Sequence, residues 1–153
     1  MKARMDHYQA NPNVYQAMSR LERQVTESGL DRVLYELIKI RASQINGCAY
    51  CLDMHTTELR QLGDSEQRIA LVSVWRESPC YTDREKAVLE LTEAVTRIAD
   101  DGVPQAVYDR IRSFFSEKET MDLIFAINVI NCWNRIAITT GMFPGCRDEG
   151  KEA

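Results

Sequence analysis

Residues 121–138 read MDLIFAINVINCWNRIAI, and this run limits the architecture open to the chain more than any other. Wound as a helix, it carries apolar side chains on nearly every side. Such a helix hides from water inside a bundle or between subunits. Asn128, Asn131, Asn134 and Arg135 interrupt it, which argues against a membrane span. Asn128, Asn131 and Arg135 follow i, i+3, i+7 spacing and share one stripe. Buried amides and a guanidinium need partners, since leaving each unpaired costs roughly 1–3 kcal/mol or more. The stripe is expected either to fix helix register as a hydrogen-bonded seam or to wall a pocket, with Asn131 and Arg135 as candidate lining residues.

The rest of the chain carries the same helical signature. No convincing period-two run and no Asn-Gly or Asp-Gly hairpin signal is present. After Asn11-Pro12, the segment VYQAMSRLERQV spaces Val14, Met18, Leu21 and Val25 along one face, and Gly29 ends it. A second helix opens near Asp31 and stops at Asn46-Gly47. A third begins around CAYC and ends at Leu62-Gly63. Ser65-Glu66 starts a short fourth, closed before Pro79. Thr82 and Glu85 have capping-box spacing and open a fifth, which ends at Asp101-Gly102. Pro104 sits at the first turn of a sixth, and a last helix runs from about Glu119 to Thr140, stopped by Gly141 and Pro144. The expected fold is all-α, about seven helices in one domain over residues 1–153, a length that suits a single core.

Composition removes several classes of function. Nineteen basic and 23 acidic residues are spread along the chain, for a net charge of −4. No basic stripe or arm exists, so nucleic acid is not an expected partner. The start, MKARMDHYQANPNVY, lacks the apolar core of a signal peptide. Five cysteines, an odd number in a chain that can fold without staples, point to a reducing, cytoplasmic setting.

Chemistry concentrates in INGCAYCLDMH, residues 45–55. Cys48, Cys51 and His55 are spaced i, i+3, i+7, so all three fall on one helix face. Gly47 lets Cys48 occupy the first turn, where free backbone N–H groups favour an anion. Helix N-termini and a neighbouring imidazolium both lower a thiol pKa. The imidazole can take the thiol proton, and two thiols at this spacing can close and reopen a disulfide. On the preceding helix, Glu36 shares a face with Ile40, Ser43 and Gly47, and a carboxylate there could orient His55 or relay its proton. Ser43 and Tyr50 join the candidate lining residues. A redox dithiol, half of a zinc site and two core cysteines all remain open on spacing alone, although zinc normally asks for four ligands.

The pattern Glu36, Cys48, Cys51, His55, with its flanking run ELIKIRASQINGCAYCLDMHTTELRQLG, resembles the signature of the AhpD alkylhydroperoxidase branch of the carboxymuconolactone decarboxylase-like superfamily. TDREKAVLELTEAVT and NVINCWNRIAI resemble further family segments, so the likeness spans roughly residues 10–143. The resemblance implies a thiol peroxidase of organic hydroperoxides with an antioxidant role. Cys48 and Cys51 are then the redox pair, and His55 and Glu36 the proton relay. It also implies an all-helical bundle assembled as trimers or hexamers, with no bound cofactor or metal. A lipoylated or other external dithiol protein re-reduces the disulfide. In one respect the chain departs: familiar members carry a histidine just before the second cysteine, where Tyr50 stands here. Tyrosine, with a reference pKa of about 10, is a poor base near neutrality. That departure keeps an alternative in view, a redox-sensing or binding subunit with little peroxidase turnover.

Cys51 has the closer imidazole and is expected to meet the peroxide. Cys48, at the helix end with the better access, is expected to resolve the sulfenic acid and receive the reductant. Elsewhere, Cys132 reads as a small filler of a buried helix, and Cys80 and Cys146 as isolated thiols. Trp75 and Trp133 read as core, and His7 as part of a loose N-terminus.

Overall fold

A computed structural model describes residues 1–146. It contains nine α-helices: α1 His7–Ala10, α2 Pro12–Thr26, α3 Arg32–Asn46, α4 Ala49–Gln61, α5 Glu66–Leu71, α6 Asp83–Thr96, α7 Ile98–Asp101, α8 Gln105–Arg112 and α9 Glu117–Thr140. A 3-10 segment, Val72–Glu77, follows α5, and no strand occurs among the described residues. The single-domain reading extends over residues 147–153, which lie outside the described residues.

Seven of these helices match the expected ones, and the differences are local. Asp6 caps the one-turn α1 through Tyr8 and Gln9, so the CxxC helix is fourth rather than third. The expected fourth helix divides at Leu71, and its second part kinks at Val74. The expected fifth breaks at Arg97, leaving α7 as a separate turn. End signals decide most of the boundaries. Asn11 caps α2 with Pro12 at its first position. The Thr82–Glu85 capping box is present, and a second box, Ser116–Glu119, starts α9 two residues before the expected Glu119.

The helix enclosed on all sides is α3, not α9. Every residue from Leu34 to Ile40 is buried, including Glu36 and Lys39, and α3 packs against α4, α6 and α9. In contrast, α9 buries Leu123, Ala126, Ile127, Ile130 and Ala137 but exposes Met121, Phe125, Asn128, Cys132, Arg135 and Ile138. Cys132 is therefore not a core filler, and the Asn128–Asn131–Arg135 stripe is not buried as a unit. An apolar sequence permits burial on every side; which sides are covered depends on how many helices dock. By length and composition α9 could cross a membrane. Its inner face instead packs in the bundle, with Asn131 and Asn134 hydrogen-bonded to Asn46 and Ser43 of α3.

Candidate active site

The α3–α4 hairpin builds the site. Gly47 ends α3 in the left-handed region (φ 71°, ψ 32°), and the Cys48 N–H donates back to the Ser43 carbonyl at 3.0 Å. This sharp turn lays α4 alongside α3. Cys48 does not enter the first turn but caps it, its Sγ accepting the Cys51 N–H at 3.3 Å. Cys48 and Cys51 are joined as a disulfide with Cα atoms 5.4 Å apart. Both are only 2% exposed, so the better access expected for Cys48 is absent. Cys51, not Cys48, lines a cavity of about 230 Å³.

One turn further along α4, His55 is buried and donates from Nδ1 to Oε2 of Glu36 at 2.8 Å. A second carboxylate, Glu58, approaches the same nitrogen at 3.6 Å. Burial alone would lower the imidazole pKa, but the two carboxylates outweigh it and hold the value above the ordinary 6.5. His55 in turn holds Glu58 down at about 2. With Nδ1 engaged by carboxylates, Nε2 is the ring nitrogen left for other partners. The candidate set Glu36, Cys48, Cys51 and His55 is thus gathered within one hairpin.

The opposite wall comes from α2 and α9. Glu22 accepts from Lys39 Nζ at 2.6 Å, from Trp133 Nε1 at 2.7 Å and from the Tyr35 hydroxyl at 3.2 Å. Burial works against charge in both partners, yet their ion pair prevails, lowering the Glu22 pKa and raising that of Lys39. Tyr15, Met54, Ile136 and Met142 supply the apolar part of the lining. Trp133 is cavity wall rather than plain core, whereas Trp75 is buried and donates to Glu93. His7 is also part of the lining, its ring 5.4 Å from that of Tyr15, so the N-terminal segment is docked here.

Of the other candidate lining residues, Tyr50 faces this cavity. Ser43 and Asn131 do not; they belong to the seam between α3 and α9, where Asn134 donates to Ser43 and Asn46 donates to Asn131. Arg135 donates to the Asn131 carbonyl and lies in a neighbouring apolar groove with Val14 and Met18. Sequence reasoning missed Glu22, Lys39 and Glu58. Lys39 and Glu36, the two charges in the run Leu34–Ile40, carry a readable signal. Glu58 stands three residues after His55 on one helix. Glu22 carries none, because only the docking of α2 brings it to the cavity.

Among the described residues, one cluster could hold a metal: the donor atoms of Glu36, His55 and Glu58 lie within 4.8 Å of one another. Neither cysteine belongs to it, and the His55–Glu36 hydrogen bond satisfies two of the three without an ion.

An all-α bundle with a cysteine pair at the start of a helix defines an AhpD-like fold. The chain belongs to the carboxymuconolactone decarboxylase family, whose model matches residues 12–94. The uncharacterized protein YdfG of Bacillus subtilis is 43% identical over 141 residues, 92% of this chain and 96% of its own length. The alkyl hydroperoxide reductase AhpD of Solibacter usitatus is 36% identical over 67 residues, a match spanning only 38% of that protein. A solved structure from Agrobacterium tumefaciens, of unknown function and described as an antioxidant-defence protein of AhpD type, superposes with a TM-score of 0.91. It is 46% identical, covering 94% of this chain and 99% of that one.

Proposed function

We propose that the protein is a thiol-dependent hydroperoxide reductase that works through Cys51 and Cys48. The observation that carries this reading is Cys51 in a cavity with His55, while Cys48 is within bonding reach outside the cavity lining. In the reduced protein, His55 takes the Cys51 proton on Nε2, and Glu36 stabilises the imidazolium. The thiolate attacks the terminal peroxide oxygen: an S–O bond forms, the O–O bond breaks, and the alcohol leaves with the proton from His55. Cys48 then attacks the sulfenyl sulfur, forming the disulfide and releasing water with its own proton. An external dithiol, lipoyl-type or similar, returns two electrons and two protons. The AhpD names among the relatives agree with this chemistry.

Exposed Met121 and Phe125, one turn apart on α9, support self-association, and the family resemblance suggests a trimer or hexamer. The test of function is steady-state reduction of tert-butyl and cumene hydroperoxide with dihydrolipoamide as donor. Turnover that disappears in Cys51→Ser supports the reading. A rate equal to that of dithiol and peroxide alone would leave the dithiol a sensor rather than a catalyst.

A further inference from the structure

The relay drawn from the sequence has one carboxylate, Glu36. The structure has two on the same nitrogen, and they differ in placement. Glu36 is 1% exposed and sealed between α3 and α4. Glu58 stands one helical turn after His55, lines the cavity with Cys51, and keeps its side chain 42% exposed.

We propose that Glu58 is a positioning residue of this site, the solvent-facing half of a two-carboxylate clamp that stabilises the imidazolium formed when His55 takes the Cys51 proton. His55 is buried, so a charged ring there loses hydration that Glu36 alone must replace. Glu58 adds a second negative charge at 3.6 Å, and the pull of His55 outweighs the cost of its partial burial. The other charged groups facing the ring do not supply this. Lys39 of α3 is a cation and opposes an imidazolium, and Glu22 of α2 is committed to Lys39 at 2.6 Å. His7 of α1 lines the same cavity, while α9 presents the neutral Trp133.

The inference rests on the peroxidase reading for its functional meaning, but its physical content can be tested apart from turnover. The His55 ring resonance is titrated by NMR in the disulfide form of wild type, Glu58→Gln and Glu58→Asp, with His7→Asn giving the assignment. The expected midpoint falls by about one pH unit in Glu58→Gln, as loss of a neighbouring opposite charge requires, and by less in Glu58→Asp. In the reduced protein the thiolate-forming limb of the pH–rate profile moves the other way, to higher pH, because a less basic imidazole accepts the Cys51 proton less readily, and kcat/KM near neutrality drops about tenfold. An unmoved His55 midpoint in Glu58→Gln overturns the proposal whatever the turnover. A moved midpoint with no wild-type turnover upholds the clamp and overturns the peroxidase reading instead.

Discussion

Glu22 of α2 meets Lys39 of α3 at 2.6 Å on the wall of the cavity that holds Cys51, and the same carboxylate receives the indole N–H of Trp133 from α9. One acidic side chain therefore ties three helices together at the site. In Glu22→Ala, Lys39, whose side chain is 5% exposed, loses its partner in a buried setting. Breaking such a pair costs about 2–3 kcal/mol here, discounted for the partial exposure of Glu22. Urea unfolding is expected to show that loss, whereas Glu22→Gln, which keeps acceptors for Lys39 and Trp133, loses less.

The proposed relay role of Glu36 makes a separate prediction. Glu36→Gln preserves size and one acceptor but removes the charge opposite Nδ1 of His55. Peroxide turnover is expected to fall by about 10²-fold, the lower end of what a positioned acid–base group contributes. His55→Gln should fall at least as far, with both measured under the same dithiol-limited conditions.

Stability should follow the titration of this cluster. His55 has a folded-state pKa above its ordinary 6.5, so its contribution is full below about pH 6.5 and is lost as pH rises through the folded value. Glu22 and Glu58 are shifted the other way, from 4.5 downward and to about 2 for Glu58. Their contribution is full above about pH 4.5 and is lost as pH falls through the folded values. Denaturant midpoints from pH 3 to 9, taken on the disulfide form, should therefore plateau between about 4.5 and 6.5 and decline on both sides. Glu58→Gln should flatten the alkaline decline.

The turn before the dithiol can be tested by one methyl group. A Cβ on Gly47 would meet nothing within 4 Å, yet the residue sits at φ +71°. Gly47→Ala is therefore expected to cost about 1 kcal/mol through the backbone alone, with the fold and the Cys48–Cys51 pairing retained.

If the exposed apolar side chains of α9 lie in an interface, sedimentation should find a species well above the 17.6 kDa chain. Phe125→Glu should shift it toward the monomer without lowering helical content.

The fold was largely readable because its boundaries are local chemistry. The Thr82–Glu85 box, Pro12 after Asn11, and Gly47 and Gly141 all act within one turn of chain. The hairpin members Glu36, Cys48, Cys51 and His55 were readable for a similar reason, since two helices joined by a single turn bring fixed spacings together. Glu22 and Trp133 were not, because their arrival depends on α2 and α9 docking across the bundle. The exposure of Cys132 and the polar seam of Ser43 and Asn131 were likewise hidden, as both are set by which helix covers which face.

In the proposed mechanism Cys51 is the thiol that meets the oxidant and Cys48 the one that closes the bond. The most direct measurement is mass spectrometry with thiol counting after one equivalent of cumene hydroperoxide, on wild type, Cys48→Ser and Cys51→Ser. Wild type should fall from five free thiols to the three at Cys80, Cys132 and Cys146. Cys48→Ser should hold a dimedone-trappable sulfenic acid at residue 51, and Cys51→Ser should not react at the pair. Sulfenic acid formed at Cys48 in Cys51→Ser, or a wild type that keeps both thiols, would contradict it.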